Sequence, residues 1–274
     1  MLIRQFLRSQ TICVATLGFC LGHAMAQTPP AENTPKGTAS EVQPLAVPCD
    51  QTPADFLDLV GQSTKARWRL LFRPPPPTPP TDRGRAALIL GSLLADNFLV
   101  WQASDSQQFR NNNQDVLTYC RMLGLGEKLM PRLMAQGKMA ESNEWKELRR
   151  EIVEGHQELI RMLREQKDED LALMIDLGLW LRVLEIVSTI VAETPDVDNR
   201  PLCIGSPSIL QKLRDDFSRI SIEKRGETTL KLIGAAITEV SETWKDADKN
   251  PPTQLQVATT HEKLKELMLA LMNK

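Results

Sequence analysis

The sequence has few of the residues that build metal, haem and nucleotide sites. Its 274 residues include three histidines and five cysteines, with no CxxC or CxxCH motif. Zinc and haem sites need such residues in clusters at defined spacings. A glycine-rich phosphate loop and a GxSxG nucleophile motif are also missing. We therefore predict no cofactor and no metal, and we favour a protein that is not an enzyme, although a catalytic site assembled from distant residues stays open.

The sequence also lacks the pattern of a β-sheet. Aromatic residues make up 5% of the chain, and no run of five or more residues between turn signals alternates as a strand does. Apolar residues recur instead at steps of three and four, as at Leu230, Ile233 and Ile237, which is the spacing of a helix face. We predict an all-α fold, a multi-helix bundle of about eight to nine helices without a sheet.

The first 26 residues have the pattern of a cleavable secretory signal peptide. Arg4 and Arg8 precede an apolar stretch, and Ala24 and Ala26 place small side chains where signal peptidase cleaves. A lipoprotein signal at Cys20 is the alternative, but the bulky Phe19 disfavours it. We expect an exported protein, either periplasmic or secreted.

The charge of the chain does not favour a nucleic-acid partner. Loss of residues 1–26 removes two arginines and no acidic residue, so the net charge changes from −2 to −4. A mildly acidic chain favours solubility and lacks the basic surface that nucleic acid requires. We predict no nucleic-acid partner.

Composition divides the remaining chain into two parts. Residues 27–51 are rich in Pro, Thr and Ala and predict a disordered tether, because they have too little apolar surface to offset the entropy of ordering. Thr52 and Pro53 are typical of a helix start and begin a helical bundle domain over residues 52–273. Within that domain, the proline-containing loop at residues 194–206 is the place where a smaller C-terminal part would separate.

Two helical segments, residues 86–103 and 168–192, are apolar on nearly every side. Such a helix is either a membrane span or the centre of a bundle. Each charge at the middle of a span costs about 2.5–3.5 kcal/mol, and these segments carry Asp96, Asp176 and Arg182. We therefore predict two central helices of a soluble bundle. Small residues spaced by four around Gly91 predict a close approach by another helix.

Asp96 and Asp176 are weak catalytic candidates. Buried charges shift their pKa values and often mark functional sites. One interpretation is a buried acidic pocket in which either carboxyl acts as an acid or base. The other is a structural network in which the carboxylates pair with Arg182, and Arg182 also lies three residues from Glu185, within pairing distance on one helix face.

Arg67, Trp68 and Arg69 belong to a second candidate site, a cationic face at residues 65–73. It is either a contact for an anionic membrane or polyanion or a solvated face. The adjoining proline-rich segment, residues 74–80, predicts a stiff, extended spacer or strap.

The cysteines left after cleavage are Cys49, Cys120 and Cys203. Cys120 lies on an apolar helix face and predicts a buried thiol. Cys49 and Cys203 both lie in proline-containing loops, and an exported protein permits a disulfide between them.

Three functions remain open. The leading hypothesis is a non-catalytic binding or scaffold module with an unknown protein partner. The alternative is an enzyme or small-ligand-binding protein with the buried acidic pocket. The weaker alternative is a membrane-peripheral protein that uses the face at residues 65–73.

Overall fold

A computed structural model describes residues 51–194, 197–205, 207–247 and 249–273, and these residues belong to one compact unit. The predicted signal peptide, the tether up to residue 50 and Cys49 lie outside the described residues. The predictions made for them therefore stay predictions.

The described residues form ten α-helices, two 3-10 helices and no strand. The α-helices are α1 (Pro53–Ser63), α2 (Arg83–Gln102), α3 (Ser106–Met122), α4 (Gly126–Glu141), α5 (Trp145–Glu165), α6 (Glu169–Glu193), α7 (Pro207–Arg219), α8 (Ile222–Arg225), α9 (Thr228–Trp244) and α10 (Gln254–Met272). The 3-10 helices are η1 (Trp68–Leu71) and η2 (Val197–Ile204). The predicted all-α, multi-helix bundle is confirmed, and α8 is a single turn beyond the predicted set.

The first helix is shorter than its apolar spacing predicts. Thr52 caps it as expected, in a reciprocal pair with Asp55. The spacing predicts a helix as far as Leu71, but α1 ends at Ser63 and Thr64 is extended. The chain turns back and places the Trp68 ring over α1, where a Cβ on Gly61 would lie 3.3 Å from the ring. Packing of the indole thus overrides helical periodicity.

The junction between α4 and α5 also departs from the local sequence signal. Ser142 resembles a helix cap in the sequence, but it follows the last residue of α4. Asn143 adopts a left-handed backbone conformation with φ of 59°, which asparagine tolerates better than most residues. This turn reverses the chain, and α5 therefore begins three residues later, at Trp145.

Helices α2 and α6 form the centre of the bundle, as predicted. Their backbones are in direct contact at Gly91, where an added Cβ would lie only 2.6 Å from the amide N of Leu179. Gly178 has the same role on α6, where a Cβ would lie 2.8 Å from the carbonyl C of Leu88. Among the described helices, α2 has the length and composition of a membrane span, but 89% of its apolar window is buried in the bundle.

The segment between α6 and α7 contributes to the same core. Three consecutive side chains of η2, those of Leu202, Cys203 and Ile204, are buried. Further along the chain, Trp244 at the end of α9 donates its Nε1–H to Oγ1 of Thr260 on α10 at 2.7 Å. The C-terminal helices are therefore joined to each other by a buried hydrogen bond as well as by apolar packing.

Candidate functional site

Asp96 and Arg182 pair with each other in the centre of the bundle. The Nε of Arg182 on α6 donates to Oδ1 of Asp96 on α2 at 2.9 Å. The same guanidinium donates to Glu185, one turn further along α6, and to the carbonyl O of Leu71 at 2.5 Å. The side chains of Asp96 and Arg182 are only 1% and 2% exposed, so solvent does not reach the pair.

Arg73 completes this network from the segment that follows η1. Its guanidinium donates to the second carboxylate oxygen of Glu185. The network thus contains two arginines and two carboxylates, and their formal charges balance. It fastens residues 71–73 to the α2–α6 pair, because Arg182 holds a backbone carbonyl there and Glu185 holds a side chain. Buried charges need such pairing to offset their desolvation.

Two atoms of the network lack a hydrogen-bond partner among the described residues, Oδ2 of Asp96 and Nη1 of Arg73. Burial raises the pKa of the Asp96 carboxyl to about 6, although Arg182 opposes the shift. Burial lowers the pKa of Arg182, but Asp96 and Glu185 outweigh it and the net direction is upward. The arginine therefore stays charged, while Asp96 changes its charge at mildly acidic pH.

Asp176, the other catalytic candidate, has a different partner. Its Oδ1 lies 2.8 Å from Nε2 of His156 on α5, and both side chains are less than a fifth exposed. His156 lines a cavity of about 20 Å³ together with Arg132 and Gln136. That volume holds about one water molecule. The two carboxyls thus have separate partners, Arg182 for Asp96 and His156 for Asp176.

A buried amide cluster between α2 and α3 was missed by sequence reasoning. Nδ2 of Asn112 donates to Oδ1 of Asn97 and to the carbonyl O of Leu93, both at 2.8 Å. Asn113 donates to the carbonyl O of Leu133 on α4 at 2.9 Å. The only sequence signal is the run of asparagines at residues 111–113, whose last two members fall on the inward face of α3.

The arginines of the predicted cationic face are paired with carboxylates. Arg67 lies 3.2 Å from Glu193, and Arg69 lies 3.5 Å from Asp105. Trp68 packs against the core instead of facing solvent fully. Because these pairs are exposed, each contributes little to stability, but they reduce the positive potential that an anionic membrane would need.

The described cysteines are buried. Burial raises the pKa of the Cys120 thiol to about 12, and the thiol of Cys203 shifts in the same direction for the same reason. Burial of Cys120 is confirmed. The predicted disulfide between Cys49 and Cys203 stays a prediction, because Cys49 lies outside the described residues.

The surface carries a groove that the sequence did not reveal, between α7 and α9 with α8 at its border. It measures about 680 Å³ and is open to solvent. Phe217 and Ile237 contribute apolar lining, and Arg214, Arg225 and Lys231 contribute positive charge. We call it the α7–α9 groove. Helical periodicity locates the buried faces of α7 and α9, but it does not reveal a depression between their exposed faces.

Neither a metal site nor a similar known protein indicates the function of this chain. Across the part of the chain that the structure describes, no group of three or more His, Cys, Asp or Glu side chains could hold a metal ion. No family model, curated protein or solved structure matches the chain.

Proposed function

We propose that the protein is an exported, extracytoplasmic helical protein that acts as a non-catalytic binding or scaffold module. The observation that carries this proposal is the α7–α9 groove, an open depression with apolar lining and charged walls. Protein-binding surfaces characteristically combine an apolar centre with a polar or charged rim. Export is supported by the signal pattern of residues 1–26.

The buried charges give this proposal its second support. An acidic catalytic pocket needs a carboxyl that substrate can reach, whereas Asp96 is sealed against Arg182. The cavity beside His156 has room for about one water molecule and not for a substrate. The alternative of an enzyme or small-ligand-binding protein therefore has less support than a binding module. The membrane-peripheral alternative is weakened by the carboxylates that pair with Arg67 and Arg69.

Site-specific photo-crosslinking in cells that produce the full chain tests the proposal. A photoreactive phenylalanine replaces Ala235, which is exposed in the groove, and in a matched control it replaces Lys128, which is exposed on α4. We expect a discrete adduct with one partner from position 235 and none from position 128. Mass spectrometry of the exported fraction should give a mature chain that begins at Gln27.

The same material distinguishes the alternatives. A chain that keeps Met1 and stays in the cytoplasm would contradict export. A small molecule retained in native mass spectra, and lost from an Asp176→Asn variant, would favour the enzyme or ligand-binding alternative. Flotation with anionic vesicles at low salt, abolished by charge reversal at Arg67 and Arg69, would favour the membrane-peripheral alternative.

A further inference from the structure

The floor of the α7–α9 groove is apolar because its polar groups are used internally. The Phe217 ring lies directly on the backbone of α9, where a Cβ on Gly234 would come within 2.6 Å of it. The Thr238 hydroxyl donates to the carbonyl O of Gly234 at 2.9 Å, so it is satisfied within its own helix. The side chain of Ile237 is buried beneath this floor. An occupant of this floor therefore meets mainly carbon atoms.

The walls of the groove carry cations that lack acidic partners. Arg214 belongs to α7, Arg225 to α8 and Lys231 to α9, and no carboxylate of the described chain lies within ion-pair distance of any of them. Glu239 also lines the groove, but it is held by Lys263 of α10 at 2.8 Å. The Nε of Arg225 donates to the carbonyl O of Ile220 at 2.9 Å, which fixes its guanidinium. The groove is thus a positive patch on a chain whose net charge is −2.

From these observations we infer that the α7–α9 groove binds an acidic, amphipathic segment of a partner protein. The inference rests on the binding function proposed above and names the chemistry of the partner. Apolar side chains of the segment contact Phe217 and the exposed carbon of α9, and its carboxylates face the three cations. The eight residues from Lys231 to Thr238 span about 10 Å of helix, which matches about two turns of an amphipathic helix.

Other occupants match the groove less well. Small-molecule sites enclose most of the ligand surface, whereas this groove is open along its length. Membrane-binding patches usually gather four to eight Lys or Arg residues, whereas this groove has three around an apolar floor. Charge complementarity therefore favours an acidic polypeptide.

Peptide binding to the full mature chain tests the inference. The probe is a fluorescent helical peptide of about four turns with leucines at i, i+3, i+4 and i+7 and glutamates on the flanking positions. One control peptide replaces every glutamate with lysine, and another replaces every leucine with serine. We expect anisotropy to show the acidic peptide binding roughly tenfold more tightly than either control, with weaker binding at higher salt.

Charge reversal in the groove locates the binding site. Combined Arg214→Glu and Lys231→Glu substitutions, at exposed positions, should weaken binding of the acidic peptide by roughly tenfold or more. Lys128→Glu changes the charge equally per residue outside the groove and should leave affinity within about twofold. Circular dichroism checks that each variant keeps its helix content, and Ala235→Glu provides an independent block of the floor without truncating a core side chain.

Several results would overturn the inference. One is equal binding of the acidic and basic peptides; another is no binding of the acidic peptide at millimolar concentration. Concentration-dependent dimerisation that the double charge reversal abolishes would assign the groove to a second copy of the chain, and loss of vesicle binding in that variant would assign it to a membrane. If the crosslink at position 235 persists in the charge-reversed chain, the binding function stands and the acidic partner does not. Absence of that crosslink contradicts the binding function itself.

Discussion

Replacement of Asp96 by asparagine tests the energetics of the buried network. The carboxyl is 1% exposed, and burial raises its pKa from 3.8 to about 6. The shift is about two pH units, and each unit corresponds to about 1.4 kcal/mol, so the linked free energy is about 3 kcal/mol. Asparagine keeps the shape of the protonated acid and an oxygen that accepts from Arg182, but it does not titrate.

The sign of the pH effect follows from proton binding. Below about pH 4 the Asp96 carboxyl is protonated in the folded protein and increasingly so in the unfolded chain. Between about pH 4 and 6 the folded protein binds more protons at this group than the unfolded chain does, so the contribution of Asp96 to the free energy of unfolding falls as pH rises. Above about pH 6 both states are ionised, and the contribution is constant.

The Asp96→Asn variant does not undergo this loss of stability as pH rises, because asparagine does not titrate. Its free energy of unfolding, relative to that of the wild-type protein, should rise by about 3 kcal/mol between about pH 3.5 and 7.5. Urea unfolding followed by circular dichroism at several pH values measures the difference, and groups common to both proteins cancel from it. Asp215→Asn, a change at an exposed carboxylate on α7, controls for the substitution itself.

The opposite slope would contradict a raised pKa for the Asp96 carboxyl. If attraction by Arg182 outweighed burial, the carboxyl would be ionised more readily in the folded protein, and the variant would lose stability relative to the wild type as pH rises. A flat difference would show that burial and Arg182 cancel.

Three further experiments test other parts of the fold. Gly91→Ala should destabilise the protein by about 1–3 kcal/mol, since the added Cβ collides with the backbone of α6. In the control Gly137→Ala the added Cβ meets no atom within 4 Å, and this substitution should stabilise α4 by up to about 1 kcal/mol. Equal melting temperatures of the two variants would contradict the close approach of α2 and α6. Thr260→Val should lower the free energy of unfolding in urea by about 1–3 kcal/mol, because the Nε1–H of Trp244 loses its hydrogen-bond acceptor. Thr260→Ser keeps a hydroxyl and should retain most of the wild-type stability. An unchanged unfolding midpoint in the Thr260→Val variant would contradict the hydrogen bond. Cys120 should react with iodoacetamide only after unfolding, because its thiol is buried and its pKa is raised; rapid alkylation of the native chain, seen by peptide mass spectrometry, would contradict its burial.

The central helices could be predicted from the sequence because their pattern is local. A long run of apolar residues interrupted by a few charges indicates a buried helix, and Gly91 among small residues spaced by four indicates close packing. The pairing of Arg182 with Glu185 was equally accessible, because residues three apart on a helix share a face. Each of these inferences uses only residues within one helix.

The other features of the fold and of the candidate site could not be predicted, because they depend on contacts between distant parts of the chain. The early end of α1 follows from the position of the Trp68 ring, and the partner of Asp176 follows from the packing of α5 against α6. The link from Arg73 to Glu185 joins residues 112 positions apart. The α7–α9 groove depends on the space left between two helix surfaces, which no periodicity reports.

The backbone contact between α2 and α6 also has a consequence for how the chain is made. The ribosome completes α2 at Gln102, but α6, which covers it, is not complete until Glu193. At about 5–20 residues per second, this apolar helix waits roughly 5–20 s for its partner. During that interval the nascent chain exposes a segment with the hydropathy of a membrane span. Helix α3 follows α2 directly in the chain and packs against it in the folded protein, so α3 is the first element that can cover α2 as the chain emerges.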